Sequence, residues 1–203
     1  AGIVTVRQGV RVDRRLRTNT PNIWACGDVT GPPYFTHAAE DQARTVANNI
    51  LGDRASWSDR ALPWVVFTDP EVAAVGLSEE AARESHGDSV EVLRLPYTRI
   101  DRAITDGEPT GLIKVILAPG WTRGLAGGEI VGAHIAGAQA GELIEQFGFA
   151  MRWRLPAGLL ARAVQAYPTY GLGVRQAVGS HWYRSTPSDA FSPLTRLRRR
   201  LGG

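Results

Sequence analysis

The chain has 203 residues, 43% hydrophobic and 21% charged, with a formal net charge of +3. That is ordinary globular composition, long enough for one core or one core plus part of another, and no apolar run approaches the roughly 20 residues that span a bilayer. The single cysteine, Cys26, excludes an internal disulfide framework and a Cys-based zinc site.

The basic excess sits at one end: Arg196, Arg198, Arg199 and Arg200 fall in the last eight residues. A short arginine cluster on a terminal tail is usually a solvated tail, to which Leu194, Leu197 and Leu201 would add a small apolar face if it turned helical. Neither a nucleic-acid nor a membrane partner is expected. The first residues show no charged-then-apolar pattern of the secretory kind and no Met, and an apolar stretch begins at once. The expectation is a cytoplasmic protein of which this chain is a part.

In chain order, Val4 to Val12 alternates apolar and polar side chains, a charged run and a turn-rich loop follow, and Ile23–Cys26 reads as a compact strand stopping at Gly27-Asp28. Residues 36–51 read as a helix with Thr36 as its N-cap, Gly52 closing it, and Ala39, Ala43, Val46, Ala47 and Ile50 on one face. A polar stretch over 53–59 marks a domain boundary. Beyond it, strands are expected at 64–67, 90–95, 112–117 and 129–135, with a short apolar segment at 72–75 and a helix starting at Ser78-Glu79-Glu80, where the dipole favours acid. The strongest helix lies between Ala140 and Met151, with Leu143, Ile144, Phe147, Ala150 and Met151 as one apolar stripe. Helices at 157–164, opened by Pro156, and at 174–182 close the pattern, with Tyr167-Pro168-Thr169 between them. Strands followed by a run of helices predict an α+β fold: an antiparallel sheet with helices packed on one face, preceded by a strand–loop–helix segment.

Thr18 to Asp28 reads T-N-T-P-N-I-W-A-C-G-D. A carboxylate at a strand end can accept hydrogen bonds from sugar-like hydroxyls, and a neighbouring glycine lets a ligand approach the backbone. Alone, this reads better as a strand ending in a turn with a solvated aspartate. It does not stand alone: V-V-F-T-D-P-E-V-A-A-V-G over 65–76, G-L-I-K-V from Gly111, I-V-G-A-H-I-A-G from Ile130 and A-G-E-L-I from Ala140 follow in order. Together these segments resemble the C-terminal part of the flavin-dependent pyridine nucleotide–disulfide oxidoreductases. The resemblance implies that residues 1–55 are the end of an FAD-binding domain, 61–182 a dimerisation domain, and 183–203 a mobile basic tail. It implies that Gly27 and Asp28 hold the ribityl chain of FAD, and that the backbone N–H groups of Thr36, His37 and Ala38 face the flavin. NAD(P)H is the implied electron donor. No Gly-rich phosphate loop or redox cysteine pair is present, so flavin retention by this chain alone is expected to be poor.

In the same family a His-Pro pair near the C-terminus supplies an acid–base histidine oriented by a glutamate. Here these positions are Tyr167 and Leu172. A phenol with a pKa near 10 is a poor general base at neutral pH, and no carboxylate partner is expected for it. A tyrosine at this place resembles the mercuric reductase branch, which implies a cis Tyr167–Pro168 bond, a hydroxyl directed at the partner subunit's flavin, and a small-molecule or metal-ion acceptor. Cys26 and His134 read as packing residues, and His86 and His181 suggest no metal site. The resulting expectation is part of a homodimeric, mercuric-reductase-like FAD enzyme that is inactive as an isolated piece. The alternative is a non-catalytic dimerisation or scaffold module.

Overall fold

The computed structural model describes residues 2–120 and 127–185, with side chains to residue 179. It divides into two compact units, Ala1–Leu62 and Pro63–Gly203.

The N-terminal unit opens with a hairpin, β1 (Thr5–Val6) antiparallel to β2 (Gly9–Val10). The expected strand at 23–26 does not form; Trp24 makes an isolated bridge with Arg17. A strand exists only where a neighbour takes its N–H and C=O groups along its length, and the hydrogen bonds here are those of a tight loop: Thr18 N–H to the Ile23 carbonyl at 3.1 Å and Ala25 N–H to the Leu16 carbonyl at 3.1 Å. Helix α1 (Thr36–Ile50) is capped by Phe35, not Thr36, because Phe35 holds the extended angles of a cap (φ −124°, ψ 139°) and Thr36 is already helical. Its buried face also differs from the expected one. Ala38, Gln42 and Thr45 are buried, whereas Ala43, Ala47 and Ile50 are exposed. Spacing identifies an amphipathic helix, but what it packs against selects the face.

The C-terminal unit is built on a five-stranded antiparallel sheet, in the order β3-β4-β7-β6-β5. The strands are β3 (Pro63–Val66), β4 (Val72–Gly76), β5 (Glu91–Pro96), β6 (Leu112–Ala118) and β7 (Glu129–Ala136). Helix α2 (Glu79–His86) follows β4, and its Ser78 cap accepts from the Ala81 N–H at 3.1 Å. Helix α3 (Asp101–Thr105), between β5 and β6, has no periodic signature in the sequence. Helices α4 (Ala140–Arg152), α5 (Ala157–Arg162) and α6 (Gly171–Ser185) complete the unit. Helix α6 runs past the expected tail boundary at 183, while the Arg196–Arg200 cluster and the expected leucine face lie outside the described residues.

Leu143, Ile144, Phe147, Ala150 and Met151 of α4 are all buried, as the stripe predicts. Helices α4 and α6 pack against the sheet, and α5 packs against α6. Each large side chain buried in this layer contributes about 1.5–3 kcal/mol relative to exposure. Helix α2 covers a separate cluster of Ala82, Val90, Ile116, Ala118 and Val131. The α4 helix is capped from a distance: the Glu71 carboxylate accepts the Gly141 N–H at 2.9 Å, beside a Gln139 N-cap that makes no side-chain bond. Among the described residues no helix is long and apolar enough to cross a membrane.

Glu79 ties α2 to the sheet. Arg94 and Lys114 are directly paired on β5 and β6, two like charges that repel. Glu79 bridges them, with Lys114 Nζ at 2.7 Å and Arg94 at 2.9 Å, and reaches Arg83 at 3.1 Å. Hydrogen bonds from Lys114 and then Arg83 hold the Glu79 carboxyl down at about 2, against an ordinary 4.5. A carboxylate whose pKa is depressed by folding stabilises above its unfolded value and loses that contribution as pH falls through its folded value. The Glu79→Gln variant should therefore show a smaller loss of stability than the parent sequence between pH 4.5 and about 2. Urea midpoints measured across that range check this; parallel curves would remove the role assigned to Glu79.

Candidate functional site

Two places carry the candidate residues, one in each unit. In the N-terminal unit the chain turns at Gly27, whose φ of 76° lies in the left-handed region that favours glycine. A Cβ there would also stand 3.3 Å from the Ala39 Cβ. Gly27 is tethered by Gln42, a buried side chain of α1 whose amide oxygen accepts the Gly27 N–H at 2.6 Å. Thr30 closes the turn, its hydroxyl donating to the Gly27 carbonyl at 2.8 Å. The turn leaves Asp28 exposed at the head of a short 3-10 segment, Asp28–Thr30.

The loop then enters α1 through a cis Pro32–Pro33 bond. The Phe35 cap has no side-chain oxygen and makes no side-chain bond to the helix. The His37 ring stacks on Phe35, with centroids 5.3 Å apart and planes 12° from parallel. Thr36 and His37 are exposed and Ala38 is buried. Together these groups place one exposed carboxylate acceptor beside the positive end of a helix, a combination suited to a ligand with hydroxyls and an electron-rich edge. Gln42 is absent from the sequence reading; its signal is a polar residue at helical spacing between Ala38 and Thr45. A concavity of about 660 Å³ on this unit, lined among others by Arg11, Asp13, Arg17, Asn19 and Trp24, lies along the 18–24 loop and does not include Asp28.

In the C-terminal unit the Tyr167–Pro168 bond is cis, as expected, and Tyr167 is 70% exposed. The Asp101 carboxylate, at the start of α3, acts on Tyr167 and holds the phenol above its ordinary pKa. The group is therefore a neutral phenol at neutral pH. Leu172 is buried at the start of α6. Tyr170 is also raised, by burial and then by Asp106. No local sequence signal links Asp101 to Tyr167, since they lie on segments separated by β6, β7, α4 and α5.

Cys26 is a half-buried free thiol, and the His134 ring is engaged, its Nε2 lying 3.0 Å from the Leu77 carbonyl. His86 ends α2, and the side chain of His181 lies outside the described residues. Among the described residues there is no group of three or more His, Cys, Asp or Glu side chains that could hold a metal ion.

Comparison with known proteins places both segments. The family description "pyridine nucleotide-disulphide oxidoreductase, dimerisation domain" matches residues 62–178, and "pyridine nucleotide-disulphide oxidoreductase" matches residues 1–43. The chain is 35% identical over 170 residues to a dihydrolipoyl dehydrogenase of Chlamydia muridarum, covering 83% of this chain and 35% of that protein. It is 34% identical over 180 residues to a mercuric reductase of Acidithiobacillus ferrooxidans, covering 87% of this chain and 31% of that protein. Its structure resembles the Cu(II) complex of the HOCl-induced flavoprotein disulfide reductase RclA from Escherichia coli, with a TM-score of 0.77 and 32% identity over 89% of this chain and 40% of that one. The chain thus spans about a third of the length of these curated relatives. With its dimerisation segment matched over more than half its length, the chain belongs to the pyridine nucleotide–disulphide oxidoreductase family.

Proposed function

We propose that this chain is the C-terminal part of a cytoplasmic, homodimeric, FAD-dependent NAD(P)H oxidoreductase, mercuric-reductase-like at Tyr167-Pro168, with a small-molecule or metal-ion electron acceptor. On this reading residues 1–55 end the FAD-binding domain and 61–182 form the dimerisation domain. The observation that carries the reading is the exposed Asp28 carboxylate on the left-handed Gly27 turn, leading into a helix whose cap has no side-chain oxygen.

FAD, when bound, supplies electron transfer between the nicotinamide donor and the acceptor. Asp28 would accept hydrogen bonds from the ribityl hydroxyls, and Gly27 would allow the close approach. The backbone N–H groups of Thr36, His37 and Ala38 would face the electron-rich edge of the flavin and favour negative charge there. Asp28→Ala in the intact parent is expected to weaken FAD retention about tenfold, since a hydrogen bond to a charged group is worth about 1.5–3 kcal/mol. Flavin absorbance after exhaustive dialysis measures this. A variant that keeps its flavin as tightly as the wild type removes the assignment.

Tyr167, as a neutral phenol, is suited to hydrogen bonding or to contact with a metal-ion acceptor, and not to general-base work. Tyr167→Phe in the parent is expected to slow reduction of a metal or quinone-type acceptor while leaving NAD(P)H oxidation nearly unchanged. Stopped-flow and steady-state rates compared side by side test it; equal losses in both would count against an acceptor-side role.

The buried Leu172 favours a second reading, a non-catalytic dimerisation or scaffold module, because it brings no acid–base group to the place where relatives are expected to carry one. A yellow chromophore in the purified chain would favour the first reading over this one.

A further inference from the structure

Two polar side chains of α1 are buried, Gln42 and Thr45, for different reasons. Thr45 turns its hydroxyl back on its own helix, donating to the Asp41 carbonyl at 3.0 Å. Gln42, only 2% exposed, reaches out of the helix instead, and its Oε1 accepts the Gly27 N–H at 2.6 Å. A buried amide is costly unless it is hydrogen-bonded, and helix formation alone gives no reason to prefer glutamine to leucine or alanine there. The reason lies in what it holds.

Gly27 has φ 76° and ψ −161°, angles essentially reserved for glycine. Glycine enters other regions as readily, so a turn built on it does not enforce itself. The Gly27 carbonyl accepts the Thr30 N–H at 2.9 Å and the Thr30 hydroxyl at 2.8 Å, and the Asp28 carbonyl accepts the Gly31 N–H at 3.0 Å. These bonds are local and would travel with the turn. Gln42 supplies a bond that ties the turn to α1, on the helix face it shares with Ala39, which stands 3.3 Å from where a Gly27 Cβ would be. With the peptides on both sides of Asp28 held, the direction in which its exposed carboxylate leaves the chain is held too.

We propose that Gln42 is the positioning residue for Asp28: its amide oxygen locks the Gly27 peptide onto α1 and so keeps the carboxylate where it can accept hydrogen bonds from the hydroxyls of a polyol chain. The inference rests on the flavin reading of Asp28 given above. Only the oxygen of the amide can face an N–H, so a carboxylate could stand in for it and an apolar side chain of similar size could not.

The test uses Gln42→Leu and Gln42→Glu. In the intact parent, Gln42→Leu is expected to weaken FAD retention about fivefold, what one neutral hydrogen bond contributes. It should add nothing in an Asp28→Ala background, because it acts through Asp28. Gln42→Glu should restore most of the retention. Unchanged retention in Gln42→Leu where Asp28→Ala loses flavin, or the same loss in both backgrounds, overturns the proposal and leaves the flavin reading standing. In the full chain without flavin, hydrogen exchange of the Gly27 amide, followed by NMR, should become faster in Gln42→Leu and stay slow in Gln42→Glu. If Asp28→Ala leaves FAD retention unaltered, the flavin reading falls and the Gly27 exchange alone decides the positioning. Equal exchange in wild type and Gln42→Leu overturns it.

Discussion

On the homodimer proposed above, replacing Phe149 and Trp153 together by glutamate should convert the dimer into a monomer at micromolar concentration. Both residues lie on the outward side of α4, Phe149 61% and Trp153 66% exposed, on the line that begins with the exposed Glu142 and Glu145. The stripe on the other side of the same helix is fully committed to the sheet. Helix α4 is thus apolar on two sides towards its C-terminal end, and Leu159 and Val164 are exposed as well. Exposed aromatic side chains beside a buried stripe are where association is expected. Aromatic anchors at the centre of an interface cost about 2 kcal/mol or more each when removed, so the double change should weaken association by roughly a thousandfold. Sedimentation velocity on wild type and variant decides the matter, with circular dichroism confirming that the fold survives. A wild-type chain already monomeric at these concentrations would contradict both the prediction and the homodimer reading.

Gly132→Ala should destabilise the C-terminal unit by about 3 kcal/mol, the upper range for inserting a methyl into a packed site. Gly132 sits in β7, where the backbone of Leu77 crosses over it. A Cβ there would collide with the Leu77 carbonyl oxygen and stand 3.1 Å from the Leu77 nitrogen. Leu77 cannot easily withdraw, because its N–H bonds the Val131 carbonyl at 2.9 Å and its carbonyl lies 3.0 Å from His134 Nε2. The glycine is therefore required by close approach of two backbones. A lower urea midpoint with an unchanged slope is the expected result. Wild-type stability in this variant would contradict the close approach of Leu77 to Gly132.

The comparison of Gly132 with Ser78 separates what was readable in the sequence from what was not. Ser78 followed by two glutamates announces a helix start within a few residues, and α2 begins there with the Ser78 hydroxyl as its cap. Gly132 lies in an apolar strand pattern that says nothing about Leu77, so its necessity appears only in the folded unit. The strand expected at 23–26 does not form, for a related reason. Its apolar run is genuine, but a strand is a pairing and not a composition, and Trp24 finds only a bridge to Arg17.

The sequence by itself determined the α+β order of elements, the buried stripe of α4, the Gly27-Asp28 turn before α1 and, through family resemblance, the cis bond at Tyr167–Pro168. These are local signals, legible because side-chain periodicity and turn chemistry act over a few residues. Tertiary structure alone decided the groups that fix the candidate sites. Gln42 holds Gly27 and Glu71 caps α4, each pairing residues far apart in the chain. Packing also turned α1 so that Gln42 faces inward and Ile50 outward. A polar side chain records no partner in its own neighbourhood; its partner is set by which backbone segments the core brings within hydrogen-bonding distance.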